Sequence, residues 1–445
     1  MVDLSGTAAH AESGAGNPWC ASHPRRPFLT KGGRRCIARE AFACGAIATI
    51  LVVVAPAVAS AQDAAALRSV QVTDAEGKIR SGLLTELGPG QLSVGTTDAI
   101  KLKTKNLVLL KFKDRSANLV PTDPLVVLSG GEVLAVHPAT INDESLVGRW
   151  ARDPEIPAIK VPLESVRGVV FDRPAHAGAF ARLLDLMLDG HESHDAVILN
   201  NGDVLAGEFS GLDAAEVVLT TPAGKSNIER RGVRAIVFNP TLTNNESLRG
   251  EGALVSLTDG SRFRARDLKF VPPDQISLHP QFGGILSIPL AAVESLRFLG
   301  GCATYLSDVN PADYKFEPFF ELDWPLRRDR SVAGGFLKLG GAEFLKGLGV
   351  HSRSTVTYRL DGKFRRFQAT IGIDSVAAGK GSVIFEVMLD GKVAFKSDVL
   401  TGANPPVSIG QVNLSGVKSL SLRVDYAGDG DILDHADWCD ALVVK

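Results

Sequence analysis

The sequence predicts an all-β protein, a series of small repeated barrels followed by a β-sandwich. Three observations predict it. Short apolar strands alternate with Gly-containing turns along most of the chain. One strand–turn–strand signature recurs four times at nearly constant spacing, and all four tyrosines fall after residue 300.

At 445 residues the chain exceeds one ordinary domain, so several compact units are expected. It is 45% hydrophobic and 22% charged, enough to bury a sizeable core. A formal net charge of −2 argues against a nucleic-acid partner, which calls for a basic face.

The first 61 residues read as a targeting segment. Arg34, Arg35 and Arg39 precede an apolar run from Phe42 to Val58, which closes on Ala59-Ser60-Ala61. Small residues at that spacing make a signal-peptide cleavage site, with the mature chain starting at Gln62 and residues 1–33 upstream of the functional start. The run is short for a stable membrane span and lacks a stop-transfer flank. An uncleaved anchor is the alternative. Cys44 lies at the start of the apolar run rather than after it, so no lipoprotein box is formed. The expected location is periplasmic or secreted, and the retained cysteines are then Cys302 and Cys439. They open and close the last domain, where first and last strands commonly adjoin, so an oxidising compartment predicts a Cys302–Cys439 disulfide.

Residues 62–300 repeat themselves. Four apolar strands run into Gly77, Gly131, Gly202 and Gly260, and four closing strands end in Phe112, Phe171, Phe238 and Phe298. The Gly-to-Phe distances are 35, 40, 36 and 38 residues, so one supersecondary unit is used four times. Asn201-Gly202 and Asp259-Gly260 supply the positive φ of tight hairpins. Each unit reads as about five short strands, which suits a small SH3- or Sm-like barrel. A β-solenoid of the same units is the competing arrangement. Two units occupy 62–173 and two occupy 196–300. Between them a helix is expected over Ala175–Leu188, with Phe180, Leu183, Leu184 and Met187 on one face.

From residue 301 to 445 the alternation continues without a helical pattern. Phe367, Ala369, Ile371 and Ile373 share a face, as do Val383, Phe385, Val387 and Leu389 before an Asp390-Gly391 hairpin. About 140 residues of this kind predict a two-sheet jelly roll.

Five motifs then identify a family. They are Tyr305-Leu306-Ser307-Asp308, Lys346 to Ser352 (KGLGVHS), Phe367 with Ile371-Gly372-Ile373-Asp374, Gly381 to Phe385 (GSVIF), and Asp434-His435-Ala436-Asp437-Trp438. In this order and spacing they resemble the NPCBM/NEW2 domain, a novel putative carbohydrate-binding module related to family 51 carbohydrate-binding modules. Ser352 departs from the alanine more often found there. The resemblance covers under a third of the chain. It implies a galactose-binding-type jelly roll, and a glycan or cell-envelope polysaccharide as partner.

Sugar recognition needs an aromatic face and fixed hydrogen-bonding groups. Trp324, His351, Asp374, Asp434, Asp437 and Trp438 are the candidates. Trp438 fits a core-filling role equally well, His351 a turn-fixing role, and Asp374 and Asp434 the capping of turns. Clustered carboxylates, among them Asp429, Asp431 and Asp437, suit Ca²⁺, which takes six to eight oxygens, although the spacing is not that of an EF-hand. A solvated acidic loop is the alternative. The stretch from His191 to Asp195 resembles a metal box but reads better as a polar linker.

No catalytic constellation is visible: no G-x-S-x-G elbow, no H-E-x-x-H, no phosphate-binding loop. A glycosidase barrel would need about eight βα alternations, which residues 62–300 lack. The expectation is a non-enzymatic carbohydrate-binding adaptor whose barrels act as spacers or protein-docking modules. The alternatives are an envelope assembly protein that binds no sugar, and a glycoside hydrolase with an unrecognised β active site.

Overall fold

The four opening glycines share one local geometry. Gly77, Gly131, Gly202 and Gly260 all have positive φ, between 75° and 95°. Each backbone N–H closes a turn on the carbonyl three residues earlier, at 2.9 to 3.0 Å. A side chain at that φ is strained, which explains why the signature recurs on glycine. The computed structural model describes residues 66–95, 98–190, 193–244, 250–319, 322–428 and 430–445. The expected signal peptide lies outside them.

Every unit has five strands, with a single 3₁₀ turn before the fifth. Unit I consists of Ser69–Asp74, Ile79–Gly88, Gln91–Val94, Ile100–Lys103 and Leu107–Phe112. Unit II runs from Leu125–Leu128 to Val166–Val170, unit III from Asp195–Leu199 to Val233–Val237, and unit IV from Gly252–Leu257 to Val293–Leu299. In each, the first strand pairs antiparallel with both the second and the fifth. Pairing that returns within the unit sets aside the solenoid arrangement.

The units associate in a nested order. The fifth strand of unit I pairs with that of unit IV, centred on Leu110 opposite Leu296. The fifth strand of unit II pairs with that of unit III, centred on Val169 opposite Ile236. All four central residues lie two positions before a closing phenylalanine, so both seams have the same local two-fold register. One apolar cluster runs through all four units, including Phe112, Phe238 and Phe298.

The helix spans Ala177–Asp189. Its Leu183, Leu184 and Met187 pack on Leu125, Val170 and Val237, covering the seam between units II and III. Gly168 makes room for it: a Cβ there would lie 2.6 Å from the Ile236 carbonyl and 2.8 Å from the Met187 thioether. No helix among the described residues is long and apolar enough to cross a membrane.

The C-terminal part is a sandwich of two antiparallel sheets. One has the order Arg327–Arg328, Gly347–His351, His435–Val444, Arg366–Ile373, Val407–Asn413, with Ala303–Tyr305 beside the far end of His435–Val444. The other has the order Asp313–Phe316, Ser354–Arg359, Ser419–Tyr426, Ser382–Leu389, Lys392–Lys396, with Leu400–Thr401 beside Ser382–Leu389. Val356, Tyr358, Phe367, Ile371, Phe385, Val387 and Trp438 fill the space between them.

The sandwich is fastened to the repeats. Ala75 and Val108 of unit I pack with Ala303, Tyr305, Leu442 and Val444. Arg297 of unit IV pairs with Asp440 at 2.7 Å, and Arg330 reaches Asp185 and Asp189 on the helix at 3.0 and 2.6 Å.

The Cys302–Cys439 disulfide is corrected by this register. Both thiols are free. The first and last strands do adjoin, but the Cys302 carbonyl accepts from the Lys445 N–H at 3.0 Å, whereas Cys439 lies opposite Gly347 and Thr370. Six residues of strand separate the two positions, about 20 Å. A disulfide spans Cα atoms no more than about 7 Å apart.

Candidate functional site

Alternation decides which side chains leave the core. Along Gly347–His351, Leu348 and Val350 point between the sheets, so Gly347, Gly349 and His351 lie on the outer face. Along His435–Val444, Ala436 and Trp438 point inward, so His435, Asp437 and Cys439 lie outward. A Cβ on Gly349 would meet the Arg330 carbonyl at 2.3 Å, so the segment around Arg330 lies directly on the sheet.

His351 and His435 stand opposite each other in register. Trp324, from the long segment between Asp313–Phe316 and Arg327–Arg328, lies flat on His351 at 4.7 Å between centroids and 5° between planes. His435 abuts both rings edge-on, at 5.4 and 5.5 Å. Both imidazoles are buried, and burial lowers their pKa values, that of His435 to about 4 with His351 adding to the effect. They are therefore neutral near pH 7. Trp324 itself is only half-buried.

Beside this stack, where Phe316 meets the His351 ring edge-on at 6.3 Å, a rim is built from two loops and the end of the Ser419–Tyr426 strand. Phe319 packs edge-on against Tyr426 at 5.9 Å, and the Arg353 guanidinium lies 5.5 Å from the Tyr426 ring centroid. Arg353 also pairs with Glu317 at 2.7 Å. Phe319, Leu322 and Ile432 are exposed. Asp431 acts on His351 electrostatically. The rim thus combines half-exposed aromatic rings with a guanidinium and carboxylates, a set suited to sugar C–H faces and hydroxyls.

The remaining candidates are placed elsewhere. Trp438 is corrected: it is fully buried, edge-on to Phe385 at 5.0 Å, and offers no face to a sugar. Asp434 is also fully buried, and its Oδ1 accepts from the Ser382 N–H at 2.8 Å, tying the two sheets together. Asp374 caps a 3₁₀ turn, with Oδ1 accepting from Val376 N–H at 2.8 Å and Oδ2 from Lys338 N–H at 3.0 Å. It is buried, so it does not reach the rim. Asp437 faces Asp374, and burial followed by that carboxylate raises its pKa well above the ordinary value. A protonated Asp437 is then placed to donate to the Asp374 carboxylate.

The described carboxylates Asp437 and Asp431 of the acidic stretch act on different partners: Asp437 interacts with Asp374, whereas Asp431 interacts with His351. Asp429 lies outside the described residues, as do His191 and Glu192 of the candidate metal box. No group of three or more His, Cys, Asp or Glu among the described residues forms a metal-binding cluster.

His435, Phe319, Tyr426 and Arg353 were not among the site residues expected from sequence. The signal for His435 was its position in the strand after Asp434, but only the register opposite His351 gives it a role. The other three come from two loops and a strand end, whose approach no local pattern encodes.

The C-terminal β-sandwich is the part of the chain that matches a known family. Residues 303–444 match the NPCBM/NEW2 domain, and the chain carries that domain there. A Renibacterium salmoninarum protein bearing the name endo-alpha-N-acetylgalactosaminidase is 36% identical over 105 residues, which is 24% of this chain and 7% of that protein. Alpha-1,3-galactosidase B of Akkermansia muciniphila is 36% identical over 118 residues, 26% of this chain and 15% of that protein. The similarity thus spans a small part of either relative. Among solved structures, a CBM51 of Clostridium perfringens GH95 in complex with methyl-galactose is 27% identical. That match covers 32% of this chain and 99% of the module, with a TM-score of 0.29. A Clostridium perfringens ZmpB structure holding CBM51-2 with GlcNAc and INT domains is 28% identical, covering 41% of this chain and 40% of that one, with a TM-score of 0.30.

Proposed function

We propose that this chain is a non-catalytic adaptor of the periplasm or cell exterior, whose C-terminal sandwich holds a glycan at the Trp324 rim. The observation that carries this reading is Trp324 itself. Its indole is fixed flat on a neutral imidazole yet keeps part of its surface in solvent, so the platform is ordered before any ligand arrives. Preorganisation of that kind removes an entropy cost of binding. Arg353, Glu317 and Asp431 supply charged hydrogen-bonding partners for hydroxyls nearby. The glycan is a saccharide or envelope polysaccharide, and the four repeated units act as the spacer or docking body behind it.

A shallow rim with one main aromatic exchanges most hydroxyl contacts for water contacts, so affinity falls in the range of about 10 μM to 1 mM. The test is a glycan array probed with the whole chain, wild type against Trp324→Ala. Wild-type signal on defined glycans, lost in the variant with its melting temperature within a few degrees, supports the reading. An array without signal rejects it in favour of an assembly role without sugar.

A further inference from the structure

A cleft of about 760 Å³ opens where the sandwich meets the repeats. Its walls come from the fifth strand of unit II, the end of the helix, the Pro240–Leu242 turn and the segment from Pro325 to Arg330. Four guanidinium groups line it: Arg167, Arg327, Arg328 and Arg330. Two carboxylates on the last helical turns answer part of this charge. Arg330 bonds Asp185 and Asp189, and Arg327 also pairs with Asp189.

Arg167 and Arg328 have no such answer. Arg167 is only 5% exposed, and its Nε and Nη1 donate to the Met187 carbonyl and the Thr243 hydroxyl at 2.7 and 3.2 Å. Arg328 donates to the Asn310 side-chain oxygen at 2.9 Å. Among the described residues neither forms an ion pair with a carboxylate. The buried Arg327 Nε also lacks an acceptor. A buried cation with neutral partners, beside a second unpaired cation and an orphan donor, is a costly arrangement unless an anion enters. Guanidinium groups are the side chains whose fork matches planar carboxylate and tetrahedral sulfate or phosphate oxygens.

We propose that this cleft is an anion subsite, and that the glycan of the Trp324 rim is acidic. The inference rests on the glycan reading above. Arg328 follows Trp324 four positions along the chain, at most about 14 Å away. A sugar on the indole therefore places a neighbouring unit's carboxylate or sulfate ester within reach of Arg328, with Arg167 and Arg327 deeper in the cleft. The repeats take part in recognition through Arg167, so the complete site needs both halves of the chain.

The experiment is an array of matched oligosaccharides probed with the whole chain, followed by calorimetric titration with lactose, sialyllactose and sulfolactose. The acidic members are expected to bind at least about tenfold more tightly than lactose, the scale of a charge-assisted hydrogen bond. The advantage should shrink at high salt. It should fall at least about fivefold in Arg328→Ala, a change at an exposed side chain. A preference for sialyllactose alone or sulfolactose alone supports the proposal and identifies the anion. Binding confined to neutral members overturns it while leaving the glycan reading intact. An acid preference that survives the Arg167→Gln/Arg328→Ala double variant, with unchanged melting temperature, also overturns it. An array that binds nothing overturns both readings together.

Discussion

His435 and Trp438 lie on one strand three residues apart, and their fates are opposite because a strand has two faces. Trp438 belongs to the core, so Trp438→Ala is expected to cost about 3–5 kcal/mol, the scale of a buried aromatic truncation. Chemical denaturation measures this; a cost below 1 kcal/mol would contradict its placement. His435 belongs to the outer cluster and stays neutral until about pH 4. In the unfolded chain the same imidazole takes its proton near pH 6.5, about the model-peptide value. Its contribution to stability is therefore present above that pH and is lost progressively as the pH falls from about 6.5 toward 4. An NMR titration should show the His435 ring unchanged through pH 5; protonation near 6.5 would show that it is not enclosed.

The sequence made Trp438 a candidate and left His435 as no more than a member of the same motif. Trp438 matched a family motif and sat in an alternating strand, which left ligand platform and core filler equally open. The deciding fact was the register against Gly347–His351, a pairing between residues about ninety positions apart. The disulfide went astray for the same reason. Adjacency of the first and last strands could be expected, whereas the six-residue offset between Cys302 and Cys439 depends on where those strands begin to pair. A thiol-reactive probe should modify Cys302 in the native protein and reach Cys439 only after unfolding.

At the scale of elements, the buried Asp374–Asp437 pair reports on the short strand Leu337–Leu339, because Asp374 also accepts from its Lys338 N–H. Asp437 has a raised pKa in the folded state, so the stability tied to its proton is complete below the unfolded value near 3.9 and is lost as the pH rises through the folded value. Asn at position 437 keeps a donor toward Asp374 without the proton. Asp437→Asn should therefore melt at a higher temperature than wild type at pH 8, with the gap closing toward pH 4. A gap that is constant with pH would show that Asp437 is not the titrating group. A second element-scale test concerns the seam under the helix. Gly168→Ala forces a Cβ against the Ile236 carbonyl and Met187, and overpacking of this kind costs about 1–3 kcal/mol. An unchanged melting temperature would mean that the seam gives way without cost.

For the molecule as a whole, the repeat was legible because it is written in local terms, a glycine that closes a hairpin and a phenylalanine that ends a strand. The five-strand count per unit followed from turn spacing alone. The nesting of unit I with IV and of II with III was not legible, since the closing strands are all short, apolar and interchangeable in pattern. Nor was the Arg-lined cleft, whose members come from residues 167 and 327–330 and meet only because the sandwich docks on the helix.

The nested order also sets a schedule for assembly. The seam between units II and III can close as soon as both have emerged from the ribosome or a translocation pore. The fifth strand of unit I, Leu107–Phe112, waits until Val293–Leu299 arrives nearly two hundred residues later. During that interval it presents an unpaired apolar edge, the kind of surface that recruits other strands. A chain truncated at residue 250 keeps that edge permanently, and light scattering should show it self-associating where the whole chain stays dispersed.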